Sequence, residues 1–269
     1  MRAVAPELIR LPDGDRPVRE VFLTLPGLNF HPDRLEPWEA RFAAAGAATV
    51  RPALRGYSAP GDPAWRTVSP EGWLEDLSHA YIRTAQRFPG AKVSLFGYSL
   101  GGTLGLVWSR RNAIALHRAV LLSPALGSRT WPWVGLSLCT LLPKRMLVRS
   151  WAPRSYRLHG ETSMAAYQSV RLLMRMFKQS AEEGAGEDPQ ALFAAVSGKD
   201  ELVSPQAVEQ YQLALAQSRP AGTVRLHWIE HQPRPGWLYH LGVDAFTLGE
   251  TPWQRLESDL DDWLQATAP

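Results

Sequence analysis

The residues best placed to do chemistry lie in Gly97-Tyr98-Ser99-Leu100-Gly101-Gly102, which follows the apolar run Val93–Phe96 and precedes a helical stretch. A serine flanked by glycines at the turn from strand to helix forms a nucleophile elbow. The turn is so tight that bulky side chains at the glycine positions would clash. It holds the serine oxygen clear of the backbone, at a helix N-terminus whose free N–H groups favour developing negative charge. An unassisted serine is a weak nucleophile, so a base and an orienting acid are expected further along the chain. Such a set carries out acyl transfer through an acyl-serine.

An acid follows in Gly198-Lys199-Asp200-Glu201-Leu202-Val203-Ser204-Pro205, after the strand-like Leu192–Ser197. Asp200 falls in the loop between that strand and a capped helix, where a carboxylate can reach across to a histidine. Its neighbour Glu201 is set aside. Beyond the last strand candidate come His231 and His240, and both positions are topologically open. His31, His79, His117 and His159 precede the acid and read as surface or hydrogen-bonded residues; His227 lies within a strand. An acyl-transfer site also needs two backbone N–H groups aimed at the reacting carbonyl oxygen. One is expected from Leu100, directly after the serine. The other is expected from Leu28, in the loop after Val21–Leu25, where Gly27 permits a sharp turn.

The elements that must position these residues alternate in period. Short β-like runs (Ala48–Pro52, Lys92–Phe96, Ala119–Ser123, Leu192–Ser197, Thr223–Ile229) are separated by amphipathic helical segments, which predicts an α/β fold with a mostly parallel sheet flanked by helices. Near the start, two strand-like runs flank Pro12-Asp13-Gly14-Asp15 and predict an antiparallel hairpin. Ser69-Pro70, Ser204-Pro205 and Thr251-Pro252 each place a hydroxyl N-cap before a proline at the first helical position. Two of the helices they open carry apolar stripes, through Trp73 and Leu77 and through Trp253, Leu256, Leu260 and Trp263. The stretch between Ser123 and Leu192 is far longer than a crossover helix needs. It contains Trp131, Trp133, Trp151 and a helical run from Ser163 to Lys178, and reads as a helical cap over the sheet's C-terminal edge.

Composition excludes several classes. The 269 residues are 45% hydrophobic and 20% charged, which suits a globular core rather than a disordered chain. Net charge is only +3 and no Lys/Arg run exceeds two residues, so nucleic-acid binding has no basic face to use. A lone cysteine, Cys139, can form neither an internal disulfide nor a multi-cysteine metal site. The N-terminal MRAVAPELIRLPDGDRP has no apolar stretch of the secretory kind, and the expectation is a cytoplasmic protein. The uncharged run Thr130–Pro143 is shorter than the ~20 residues of a membrane span. It is suited to lie against a membrane surface or to roof an apolar pocket.

Over nearly its whole length the chain resembles α/β-hydrolases of the carboxylesterase and monoacylglycerol-lipase type. Leu25-Pro26-Gly27-Leu28 stands where those proteins have His-Gly and then the oxyanion residue, with Pro26 replacing the histidine. Arg55-Gly56-Tyr57 stands where relatives have Gly-His-Gly, and Ser197 to Val203 is close to the acid-bearing turn. Tyr239-His240-Leu241-Gly242-Val243-Asp244 is closer to the family's histidine segment than Glu230-His231 is, so the resemblance selects His240. It implies an α/β-hydrolase core over 1–126 and 190–269, with a helical cap over 127–189. It also implies a serine hydrolase for small-molecule carboxylic esters, with Ser99, Asp200 and His240 as the triad and Leu28 and Leu100 as oxyanion donors. No metal or cofactor is called for. The Trp- and Met-rich cap implies an apolar acyl group, with Trp131 and Trp133 as substrate contacts. The same triad serves thioesterases, acyltransferases and amidases, and a hydrolase-like fold can also bind a ligand without turnover.

Overall fold

The computed structural model describes residues 7–12, 17–138, 141–184 and 186–268. In chain order the strands are β1 (Leu8–Arg10), β2 (Glu20–Leu25), β3 (Ala48–Arg51), β4 (Lys92–Tyr98), β5 (Arg118–Leu122), β6 (Leu147–Arg149), β7 (Glu161–Ser163), β8 (Ala191–Val196) and β9 (Val224–Trp228). The helices are α1 (Glu36–Ala44), α2 (Pro70–Arg87), α3 (Leu100–Arg111), α4 (Thr130–Leu138), α5 (Met164–Glu182), α6 (Pro205–Ala216), α7 (Ala245–Leu248) and α8 (Glu250–Ala266). Seven strands form one sheet in the order β1-β3-β2-β4-β5-β8-β9. All its pairings are parallel except β1 with β3.

The sequence pattern explains this order. β2, β5 and β8 are buried at every position, as strands covered by helices on both faces must be. Their side chains alternate between two cores with the period of two that a strand imposes. Leu192, Ala194 and Val196 enter one core with Trp73, Leu104 and Trp108; Ala191, Phe193 and Ala195 enter the other with Trp38, Phe42 and Trp263.

Two local expectations are corrected. β1 does not form a hairpin with β2 but pairs antiparallel with β3, Leu8 opposite Arg51 and Arg10 opposite Thr49. β2, buried on both faces, takes the interior place between β3 and β4, so the short, half-exposed β1 is left to an edge. At the other end of the chain, Thr251 does not cap α8. The helix begins at Glu250 after Gly249, whose φ of 84° breaks it from α7. Ser69 and Ser204 do cap α2 and α6, accepting from the N–H of Gly72 (3.1 Å) and Ala207 (3.2 Å).

Between β5 and β8 the chain carries α4, an antiparallel ribbon of β6 and β7, and α5. α5 does not stand apart from the rest: its Ala165, Ala166, Val170, Leu173 and Phe177 share a core with Leu104 and Trp108 of α3. Trp131 and Trp133 fall within α4, but their side chains lie outside the described residues, as does Cys139. Among the described residues no helix is long and apolar enough to cross a membrane.

Candidate active site

The elbow joins β4 to α3, and its glycines are there because nothing larger fits. A Cβ on Gly97 would come within 2.4 Å of Gly102 Cα, and one on Gly101 within 2.3 Å of the Leu25 carbonyl oxygen. Ser99 between them has φ 51° and ψ −113°, in the left-handed half of the map that glycine enters freely and serine rarely does. Its N–H donates to the Leu122 carbonyl at 2.9 Å, which ties the elbow to β5.

The structure brings Ser99, His240 and Asp200 into one chain of hydrogen bonds. His240 Nε2 is 2.9 Å from Ser99 Oγ, and His240 Nδ1 is 2.8 Å from Asp200 Oδ2. An ionised carboxylate only accepts, so Nδ1 carries the proton and Nε2 keeps the lone pair that faces the serine hydroxyl. Asp200 is 0% exposed, and its second oxygen accepts from the N–H groups of Leu202 (2.9 Å) and Val203 (3.0 Å). Burial pushes this carboxyl up. The electrostatic pull and hydrogen bond of the His240 ring, with those two N–H groups, outweigh burial and hold it below the ordinary value.

His240 sits in a 3-10 turn, residues 239–241, and is held both at its N–H and at its carbonyl. The Tyr98 hydroxyl donates to the His240 carbonyl at 3.0 Å, and the Tyr98 ring lies over the imidazole, centroids 5.6 Å apart. The Glu201 carboxylate accepts from the N–H of Tyr239 and of His240. His231 is elsewhere: its ring meets Tyr239 edge to face, and neither nitrogen has a hydrogen-bond partner among the described residues. Burial lowers its pKa against the opposing pull of Glu201 and Asp200.

On the other side of Ser99 runs the loop 26–31. A Cβ on Gly27 would lie 3.4 Å from Ser99 Cβ and 2.7 Å from the Tyr98 ring, so only glycine lets the loop pass this close. The Gly27 carbonyl accepts from the Tyr57 hydroxyl at 2.8 Å, an anchor supplied from the Arg55-Gly56-Tyr57 segment. Leu28 follows Gly27, and Leu100 opens α3, where the first N–H groups lack an acceptor within the helix.

Asn29, with φ 53°, locks this loop to β7 and the residue pair before it. Its amide donates to the His159 carbonyl (3.0 Å) and Thr162 Oγ1 (3.0 Å), and its oxygen accepts from His159 N–H (2.8 Å). Tyr98, Glu201 and Asn29 were not singled out from the sequence. Asn29 alone leaves a local trace, an asparagine after Pro-Gly at a turn; the other two act on residues remote in the chain.

The comparisons with known proteins agree with this architecture. The family described as serine aminopeptidase, S33, matches residues 16–232, and the chain belongs to that α/β-hydrolase family. No curated protein matches it. Among solved structures it is similar to a soluble variant of monoglyceride lipase from Saccharomyces cerevisiae in complex with a substrate analog. That likeness has TM-score 0.72 at 13% identity, over 98% of this chain and 91% of that one. It is also similar to the monoacylglycerol lipase of Paleococcus ferrophilus (TM-score 0.69, 15% identity, 98% and 99% covered). Est1E of Butyrivibrio proteoclasticus with bound ferulic acid is a third (TM-score 0.64, 13% identity, 98% and 96% covered). At such identities the likeness establishes the fold, and function must be argued from the site.

Proposed function

We propose that the protein is a serine hydrolase that cleaves carboxylic esters with an apolar acyl group, in the manner of a carboxylesterase or monoacylglycerol lipase. The observation that carries this reading is the unbroken Ser99–His240–Asp200 hydrogen-bond chain at a strained elbow. Ser99 Oγ attacks the ester carbonyl while His240 Nε2 takes the hydroxyl proton, and Asp200 stabilises the imidazolium formed. The Leu28 and Leu100 N–H groups hold the oxyanion of the tetrahedral intermediate. Its collapse breaks the acyl–oxygen bond, and His240 returns the proton to the departing alcohol. Water, deprotonated by the same histidine, then releases the carboxylic acid from Ser99. No step calls on a metal or a cofactor.

Residues 127–189 act in this reading as the cap, with Trp131 and Trp133 against the acyl group. The substrate analog bound by the yeast relative and the ferulic acid bound by Est1E speak for small esters of this kind. A membrane-surface contact through the cap is part of the same proposal: Val134, Leu138 and Leu141 are 41%, 59% and 80% exposed. The test is hydrolysis of p-nitrophenyl esters and monoglycerides of graded chain length, with fluorophosphonate labelling in parallel. Turnover should come with labelling at Ser99, and Trp131→Ala or Trp133→Ala should change the preferred acyl length. Tight ester binding with neither labelling nor turnover would replace this reading by that of a ligand-binding protein.

A further inference from the structure

The turn that carries Asp200 holds a second carboxylate for which the reaction above has no use. Glu201 spans 38 positions of chain to reach the histidine segment. One of its oxygens accepts from Tyr239 N–H at 3.0 Å and the other from His240 N–H at 3.3 Å. Those two N–H groups open the 3-10 turn that contains His240, and the residue before them, Leu238, makes no side-chain capping bond. Groups at the start of a helical turn have no acceptor within it, so an outside one must serve them. Glu201 supplies it.

Its position follows from the way the turn folds. The Asp200 oxygen that does not meet the histidine accepts from Leu202 and Val203, so the backbone wraps around the Asp200 carboxylate. Glu201, between them, stands at the tip that faces residues 239 and 240. Adjacent residues therefore hold one histidine twice, Asp200 by the ring and Glu201 by the main chain. From β4 the Tyr98 hydroxyl holds the carbonyl of the same residue. With its N–H and C=O both fixed, the His240 backbone cannot swing when the ring changes partner during proton transfer.

We propose that Glu201 is a positioning residue for His240, one that keeps the imidazole aligned on the Ser99 oxygen throughout the cycle. This inference rests on the Ser99–His240–Asp200 reading. A displacement of about 1 Å at a reacting group costs ~100-fold in rate, so a loosened histidine should be felt in the chemical step and not in substrate binding.

Glu201→Gln preserves shape and keeps one acceptor oxygen, but turns an NH2 group toward the second N–H. It should lower kcat about tenfold and leave KM within about twofold, the pattern of an interaction that matters in the transition state. Glu201→Asp retains the charge but is one methylene short of spanning both N–H groups, so it should lose kcat in the same way. The rate of fluorophosphonate labelling at Ser99 should fall in parallel in both variants, with far-UV circular dichroism unchanged. A lowered melting temperature with kcat and labelling rate retained in either variant makes Glu201 a stability residue only and overturns the inference. Wild-type protein that does not label at Ser99 overturns the triad reading, and this inference falls with it. Normal wild-type labelling with no loss in Glu201→Gln overturns the inference alone.

Discussion

Ser99 is approached from two sides, and the two are held in different ways. On the proposed proton-transfer side, His240 is fixed by the Asp200 and Glu201 carboxylates of the turn after β8 and by Tyr98 on β4. These are strands and turns of the sheet itself, and the bonds from the turn are charge-assisted. On the oxyanion side, the loop 26–31 is fixed by neutral bonds, many of them to the inserted segment. Besides the Asn29 clamp, Leu158 N–H donates to the Asn29 carbonyl (3.0 Å) and His31 N–H to the Tyr156 carbonyl (2.9 Å). His159 extends that anchorage. Its Nε2–H donates to the Gly56 carbonyl (2.8 Å), its Nδ1 accepts from Gly61 N–H (3.0 Å), and its ring stacks on Trp65. The insertion reaches both sides. Residues 156–162 hold the loop 26–31, while residues 127–129 bond the turn of Asp200, Ser204 N–H donating to the Gly127 carbonyl (2.9 Å) and the Arg129 guanidinium to the Gly198 carbonyl (2.8 Å). What differs is therefore the charge of the groups that seat each half of the proposed site.

The largest effects should come from breaking the proton relay. Ser99→Ala and His240→Ala should each lower kcat on a p-nitrophenyl ester by about a million-fold, and the double variant should lose little more, because such groups act as a unit. Most activity retained in a folded single variant would remove the acyl-serine mechanism. Next comes the oxyanion side. Asn29→Ala deletes three side-chain hydrogen bonds. It should lower kcat about 100-fold at nearly constant KM, since loss of one oxyanion donor alone costs about 100- to 1000-fold. An unchanged kcat would show that the loop keeps its shape without the clamp.

A smaller effect is a dependence of stability on pH. Burial, the largest influence, lowers the pKa of His159 against the Gly56 carbonyl and Asp62, and burial lowers those of His231 and His117 as well. The unfolded chain protonates its histidines near pH ~6.5 whereas these folded rings resist, so stability should fall as pH drops below about 6.5. Melting scans at about pH 7.5 and 5.5 measure it, and an equal melting temperature at both contradicts the sign. The smallest effect belongs to His231→Ala, which should keep its rate within about threefold because that ring bonds neither Ser99 nor Asp200. A loss as large as that of His240→Ala would exchange the roles of the two histidines.

What the sequence made legible follows one physical line. The elbow, the sheet strands and the Ser69 and Ser204 caps depend on neighbours in the chain: glycines that avoid a clash, a period of two, a hydroxyl before proline. The three residues that the structure joins by hydrogen bonds, Ser99, Asp200 and His240, could all be named in advance. The choice between His231 and His240 could not be made from the residues themselves, because both follow the last strand, and it needed the family resemblance. The misplaced hairpin and the start of α8 depended on competition for a strand edge and on Gly249. Glu201 was passed over because its partners lie across the fold, where no local pattern reports them.

The backbone of Ser99 has a consequence of an evolutionary kind. A non-glycine residue at φ 51° and ψ −113° costs on the order of 1–3 kcal/mol, and glycine would relieve most of it. Thermodynamically, then, the fold prefers to lose the side chain to which the proposed mechanism assigns turnover. A lineage released from selection for turnover would drift toward glycine at this position and melt at a higher temperature. A serine retained there is a running expense that only continued use of its hydroxyl can justify.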